Sequence, residues 1–469
     1  MGWTGRAAAQ TPKVFLNPPT NTAASVAQVA SAGGWDTTLT LVNLGTSPVG
    51  TTLNFFDDSG NPLALPFSFP QGGMPAMTES TIQASINASG LLVADTTGLP
   101  TQAAHIGWSH LQAAGNVGGY ALFTNTPNNW QAAVPLDTLN AGSYLLAFDN
   151  TGSLSTGLAL ANLSAQAANA KAIIRDDQGN VLGTEMISIP AQGHTSFMLS
   201  SMYAITKGIR GTIEFDTPPS GQINVLGLRS NGTALTTVPV LAQVGTGGGS
   251  MAQFTYNQGW ESAFTLVNTS TAPAKATLSF YDDYGTPIQM SLVLPQTGAV
   301  METSTVTQTL AGGASLIIQT DGHDGYKSVT GWAQLTTTGN VSGFAVFRYN
   351  PSQQEAVVPL ETRNASTYVV PYDNTQGLIT GLALANATDQ AITLNLILRD
   401  ESGAQFAGGS IPLKAHGHTA VQLANAYPGS AGIRGSVEIG TLGAGGQFVA
   451  LGLRFTPNQN VTTIPVLAK

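Results

Sequence analysis

At four places in this chain an asparagine closes an apolar run, and an aspartate follows fourteen residues later. The pairs are Asn43 and Asp57, Asn162 and Asp176, Asn268 and Asp282, and Asn386 and Asp400. A spacing kept four times in 469 residues marks repeated structural units. The units also end alike, in Val134-Pro135-Leu136, Val238-Pro239-Val240, Val358-Pro359-Leu360 and Ile464-Pro465-Val466. From asparagine to proline the distances are 92, 77, 91 and 79 residues, so a long type alternates with a short type. That order indicates a two-unit block copied whole. Residues 148–162 (FDNTGSLSTGLALAN) return at 372–386 (YDNTQGLITGLALAN), with 11 of 15 positions identical.

Within a unit the pattern is that of short strands. Apolar and polar residues alternate in Leu39-Thr40-Leu41 and Phe264-Thr265-Leu266, the period of a half-buried strand. In 209–215 Ile209, Ile213 and Phe215 are expected inside, with Arg210, Thr212 and Glu214 in water; Ile433, Val437 and Ile439 repeat the inner set. Glycine-containing turns separate the strands, and no helical period persists over three turns. The expected fold is all-β: four tandem β-sandwich units of immunoglobulin-like type in long-short-long-short order, with a small barrel as the alternative. The expected boundaries are an N-terminal arm or leader remnant (1–21), sandwich 1 (22–138), sandwich 2 (139–243), a Gly-rich linker (244–250), sandwich 3 (251–362) and sandwich 4 (363–469). Ala7-Ala8-Ala9 resembles the end of a signal peptide.

Several motifs carry a resemblance. They are Gly-Trp before alternating Thr and Leu, the run Phe55-Phe56-Asp57-Asp58-Ser59-Gly60-Asn61-Pro62, and Gly193-His194-Thr195 followed by Gly208-Ile209-Arg210-Gly211. With these the chain, after about residue 22, resembles tandem immunoglobulin-like or fibronectin-like modules of secreted and surface proteins of soil bacteria. The resemblance implies an extracellular β-sandwich array and says little about activity.

Charged residues make up 9% of the chain, against about 25% in an average soluble protein, so hydroxyls and amides carry solubility. Sixteen Lys plus Arg and a net charge of −9 argue against nucleic-acid and anionic-membrane partners. The absence of cysteine removes disulfides, thiolate metal sites and cysteine nucleophiles. No apolar run is long enough for a membrane-spanning helix.

The candidate sites each have a structural reading beside the functional one. The Asp-Asp-x-Gly runs suit a hairpin turn, with Ca²⁺ binding as the weaker alternative. His416 and His418 form a His-x-His pair that unit two lacks, and no third metal ligand is evident, so no metal site is assigned. His323-Asp324 has no nucleophile near it in sequence. Arg210 and Glu214, like Arg434 and Glu438, share a strand face but lie about 13 Å apart along it, so each is expected to pair instead across to a neighbouring strand, with Arg229 or Arg454 as candidates. Trp35 and Trp260 share parity with core positions. Trp108 and Trp332 fall at outward positions, where they could stack on a sugar ring or pack against the next sandwich. Asp149-Asn150-Thr151 and Asp373-Asn374-Thr375 occur only in the short units and suggest a turn or an inter-sandwich contact.

No Gly-x-Ser-x-Gly elbow, His-Glu-x-x-His or P-loop is present, so no catalytic residue is assigned. The expected function is a non-catalytic extracellular structural or interaction protein: a rod of four sandwiches serving as cell-surface spacer, adhesin or filament subunit. Neighbouring subunits or cell-surface components would be its partners, and residues 10–30 could lend a strand to a neighbour. A carbohydrate-binding array using Trp108 and Trp332 on polysaccharide is the alternative, and a glycan-active hydrolase the third reading.

Overall fold

The computed structural model describes residues 22–138, 141–218, 222–242, 248–322, 325–442 and 446–469. The expected arm or leader (1–21), part of the Gly-rich stretch (243–247) and the His323-Asp324 pair lie outside these residues. The described chain is almost entirely antiparallel β-structure, in eight sheets. No described helix is long and apolar enough to cross a membrane.

Sheet 1 contains, in spatial order, Thr22–Ser31, His105–Ala113, Val49–Asp57 and Thr81–Ile86. Sheet 2 contains Trp130–Pro135, Val117–Asn125, Trp35–Asn43, Leu91–Thr96, Leu65–Ser68 and Met77–Glu79. The two enclose a core that includes Leu39, Leu41, Phe55, Phe67 and Phe123. Sheet 3 contains Val181–Ile189, Ala168–Asp176, Arg210–Asp216, Ser143–Asp149 and Leu241–Ala242; sheet 4 contains His194–Met198, Ser155–Asn162, Ile223–Ser230 and Leu235–Val238. Leu146, Leu160, Ile213 and Phe215 lie in the core between them. From Gly248 to Ala468 the same arrangement recurs strand for strand as sheets 5 to 8. Period-two burial explains the pairing: along Val49–Asp57 the buried residues are Val49, Thr51, Leu53 and Phe55.

Two expectations about chain segments change. Gly248–Ser250 of the expected linker already belong to the strand Gly248–Tyr256, which pairs with Val329–Thr337. Thr22–Ser31 pairs with His105–Ala113 of its own sheet, so this strand is not free to be lent to a neighbouring molecule.

The four sheet pairs do not string into a rod. Each Asp-x-x-Gly turn of one pair plugs into a turn of the next, and the fourth pair returns to the first. The plug is the same each time. Asp57 Oδ1 accepts from the backbone N–H groups of Ser59 and Asn61, and Asp176, Asp282 and Asp400 do likewise two and four residues on. The residue after each aspartate then offers its backbone carbonyl to the next pair. His194 N–H donates to Asp58 O, Ser315 N–H to Asp177 O, His418 N–H to Asp283 O and Leu91 N–H to Glu401 O, at 3.0 to 3.1 Å. The socket is shaped by the repeated asparagine. Asn43 donates through Nδ2 to Ile86 O and Asn87 O, and Asn162, Asn268 and Asn386 hold the equivalent turns. Each socket turn contains a residue of positive φ: Ser89, Gln192, Gly313 and His416.

At the centre of the ring the edge strands Trp130–Pro135, Leu235–Val238, Gln354–Pro359 and Val461–Ile464 each pack on two of the others. Thr237 Oγ1 donates to Ala133 O at 2.7 Å, and Thr463 Oγ1 donates to Val357 O. The closing joint has its own apolar seam of Val42, Leu44, Leu91, Val93, Val369 and Leu467.

The plug requires glycine at its tip. A Cβ on Gly403, whose φ is +89°, would lie 2.1 Å from Ala88 O, whereas Gly72 has φ +75° with nothing near its Cβ position. Gly72→Ala is expected to cost about 1 kcal/mol through backbone strain alone. Gly403→Ala should lower the melting temperature at least twice as much, because the joint must also give way; equal losses in thermal denaturation would refute the plug.

Candidate binding clefts at the joints between sheet pairs

Trp108 and Trp332 point out of their own sheet pair but not into water. Both are at most 1% exposed, because the next pair covers them. Trp108 Nε1–H donates to Gln192 O and Trp332 Nε1–H to His416 O, each at 2.7 Å. Phe56 stacks on Trp108 at 5.0 Å and Tyr281 on Trp332 at 5.1 Å. Strand parity assigned the right face; what covered that face was not in the strand. Packing against the next sandwich is one of the two readings for these tryptophans; Thr212, expected in water, is corrected, being buried and donating through Oγ1 to Gly313 O at 2.8 Å. Thr212 thus does at the second joint what Trp108 does at the first.

The histidines serve the joints too. His194 Nδ1 meets Asp58 Oδ1 at 2.8 Å, and His418 Nδ1 meets Asp283 Oδ1 at 2.7 Å. His416 instead pairs with Asp389 and stacks on Tyr281, so the His-x-His rings have separate partners. Among the described residues no group of three or more His, Cys, Asp or Glu could hold a metal ion.

Asn150 and Asn374 are internal clamps. Asn150 accepts from Thr156 N–H and donates to Thr206, and Asn374 repeats this with Thr380 and Ser430. Asp149 and Asp373 differ, because each lines a cleft where a short unit meets the following long one. Asp149 accepts from Arg210 Nε at 2.8 Å, and Asp373 from Arg434 Nε at 3.0 Å. Glu214 pairs with Arg175 and Glu438 with Arg399 and Lys469, so Arg229 and Arg454 are not their partners.

The two clefts are equivalent by position yet differently furnished. The cleft between the second and third pairs (≈110 Å³) is closed by ion pairs. Arg229 grips Glu355 through Nε at 3.0 Å and Nη2 at 3.3 Å, and Glu261 takes Arg348 Nη2 and Gln319 Nε2. The cleft between the fourth and first pairs (≈150 Å³) holds Arg454 at the place of Arg229. Gln131 replaces Glu355, Thr124 replaces Arg348 and Asp36 replaces Glu261, as the strand registers show. Asp95 stands for Gln319 and Tyr120 for Phe344. Asp95 Oδ1 and Arg454 Nε, on the cleft lining, are buried without a hydrogen-bond partner, as is Gln131 Oε1 at the position equivalent to Glu355. Burial pushes the Asp95 carboxyl above its ordinary value, against smaller opposing effects of Thr38 and Arg434. Asp36 is raised by burial and then by Asp95. Sequence reasoning named Arg454 only as an ion-pair candidate and missed Gln131, Asp95 and Tyr120. The available signal was the set of positions at which the two halves differ in charge.

Two outcomes follow. Trp108→Phe keeps the ring but strips the donor from Gln192 O, and should destabilise by about 1–3 kcal/mol in denaturant titration. For Asp95 the folded chain holds the proton more tightly than the unfolded one. That stabilises the fold below about pH 3.8, and the contribution is lost as pH rises through the folded value. Asp95→Asn is therefore expected to raise the melting temperature at pH 7 and leave it nearly unchanged near pH 3; the opposite order would contradict the burial of that carboxyl.

No family model and no curated protein matches this chain. Among solved structures it is weakly similar to trypsin-activated alpha-2-macroglobulin from Escherichia coli, at 9% identity and a TM-score of 0.12. That alignment covers 96% of this chain and 42% of the other, so this chain spans under half of that protein. It is equally weakly similar to a glycoside hydrolase family 32 protein from Bifidobacterium adolescentis, at 8% identity and a TM-score of 0.12, covering 93% and 99% of the two chains.

Proposed function

We propose that this chain is a non-catalytic extracellular interaction protein. Four homologous immunoglobulin-like sandwiches, in long-short-long-short order from a doubled two-unit block, would form a closed and rigid platform. The resemblance to modules of secreted and surface proteins supports the location. One observation carries the reading: the side chains present in all four repeats, Asn43 and Asp57 with their equivalents, brace the turns whose backbone groups join one sheet pair to the next. Repetition has been kept for joints, which is what a scaffold needs.

Closure favours a platform, adhesin or filament subunit over an extensible spacer. It also takes away the indole surfaces of the polysaccharide-binding reading, since Trp108 and Trp332 are covered. Fractionation of the producing cells tests the proposal. The native protein is expected in the cell-wall or culture-supernatant fraction, and electron microscopy is expected to show compact particles, alone or in register. Recovery in the cytosol, or turnover of chromogenic glycosides, would overturn it.

A further inference from the structure

We propose that the cleft between the fourth and first sheet pairs is a receptor site for a small carboxylate, gripped by Arg454. The twin cleft supplies the template. There the guanidinium of Arg229 is met by two oxygens of Glu355, a residue 2% exposed. Planar fork-to-fork pairing of this kind is what arginine and carboxylate geometry favour. At the fourth-to-first joint Arg454 occupies the same place, between Thr380 and Thr462 as Arg229 lies between Thr156 and Thr236. Its carboxylate has gone: Gln131 stands where Glu355 stood. The guanidinium of Arg454 has no hydrogen bond among the described residues; Asp373 Oδ2 lies 4.0 Å from its Nη1, and Asp95 is near enough to feel its charge.

The rest of the cleft has changed in the same direction. Tyr120 puts a phenol where the twin has Phe344, and Thr38 adds a hydroxyl where the twin has Ala263. Arg434 contributes a second positive charge, held by Asp373 and approached by Glu401 at 3.5 Å. Asp95 is the acid that an incoming anion would face. Burial raises its carboxyl above the ordinary value, which weakens its charge against an anion, and its Oδ1 has no hydrogen-bond partner. Held only by a carboxylate 4.0 Å away, the guanidinium keeps its fork of donors for a carboxylate that can meet it at two oxygens. A cleft of ≈150 Å³ admits acetate or the carboxyl end of a sugar acid.

The full-length protein can be tested by thermal shift and calorimetry in sodium acetate, sodium glucuronate and sodium chloride at equal ionic strength. Acetate near 50 mM should raise the melting temperature of the native protein by about 2 °C over chloride. Gln131→Glu supplies the carboxylate from within. This variant should start from a higher melting temperature and lose at least four-fifths of the acetate response. Arg454→Gln should show no response. A glucuronate response equal to that of acetate assigns the site to a carboxylate carried on a sugar; a response to acetate alone assigns it to a free acid. No difference between acetate and chloride in the native protein, or a full response in Gln131→Glu, would overturn the proposal.

Discussion

The structure depends on one contact made four times: a turn carbonyl from one sheet pair accepting a backbone N–H from the next. Neither partner is a charged side chain. The carbonyl belongs to the residue after the repeated aspartate, and the N–H belongs to the first strand residue beyond the socket turn. The aspartate matters because it satisfies the backbone donors inside the plug, leaving that carbonyl free to point outward. The asparagine matters because its amide bonds the socket carbonyls that a tight turn would otherwise bury unpaired. The spacing of fourteen residues thus links plug and socket, which lie at two ends of each unit. A head-to-tail contact of this kind generates a closed ring when its rotation closes and an open filament when it does not. Here it closes after four.

Equivalent joints have diverged in pairs. Where a long unit meets a short one, the seam is sealed by an indole and a buried histidine facing an aspartate. At the second and fourth joints Thr212 and Ser436 take the place of the indole, and it is at these two joints that the polar clefts lie, lined by other residues.

Much of this was legible in the sequence, and the limit is physical. Strand positions and turn chemistry are local, so Leu39, Leu41, Ile213 and Phe215 could be placed in the core from alternation, and Asp57 in a turn from its glycine. Closure is not local. Alternation says which face of a strand Trp108 occupies, but a sheet face turned outward looks the same whether water or another sheet lies beyond it. Thr212 was misjudged for the same reason. Asp149 and Asp373 stood out because the short units alone carry them, and the structure puts them at the clefts. Arg454 was named only as an ion-pair candidate and Gln131 not at all, because each is unremarkable by itself. Their meaning lies in the comparison with Arg229 and Glu355, and that comparison requires the strand registers that make 454 equivalent to 229 and 131 equivalent to 355.

The location of the unsatisfied groups follows from how the ring closes. Three joints connect neighbours along the chain; the fourth brings Leu91 to Glu401. Formed first, that contact would carry the entropy of closing a very long loop. Formed last, with three joints already fixing the geometry, it is effectively an intramolecular contact at high local concentration, and little intrinsic affinity is needed. The closing joint can therefore tolerate a loosely paired Arg454 and a half-buried Asp95 where the second joint has the Arg229–Glu355 pair and Gln319. Tolerance of this kind is what allows a seam to become a site, because the energy that would otherwise enforce internal pairing is supplied by the rest of the ring.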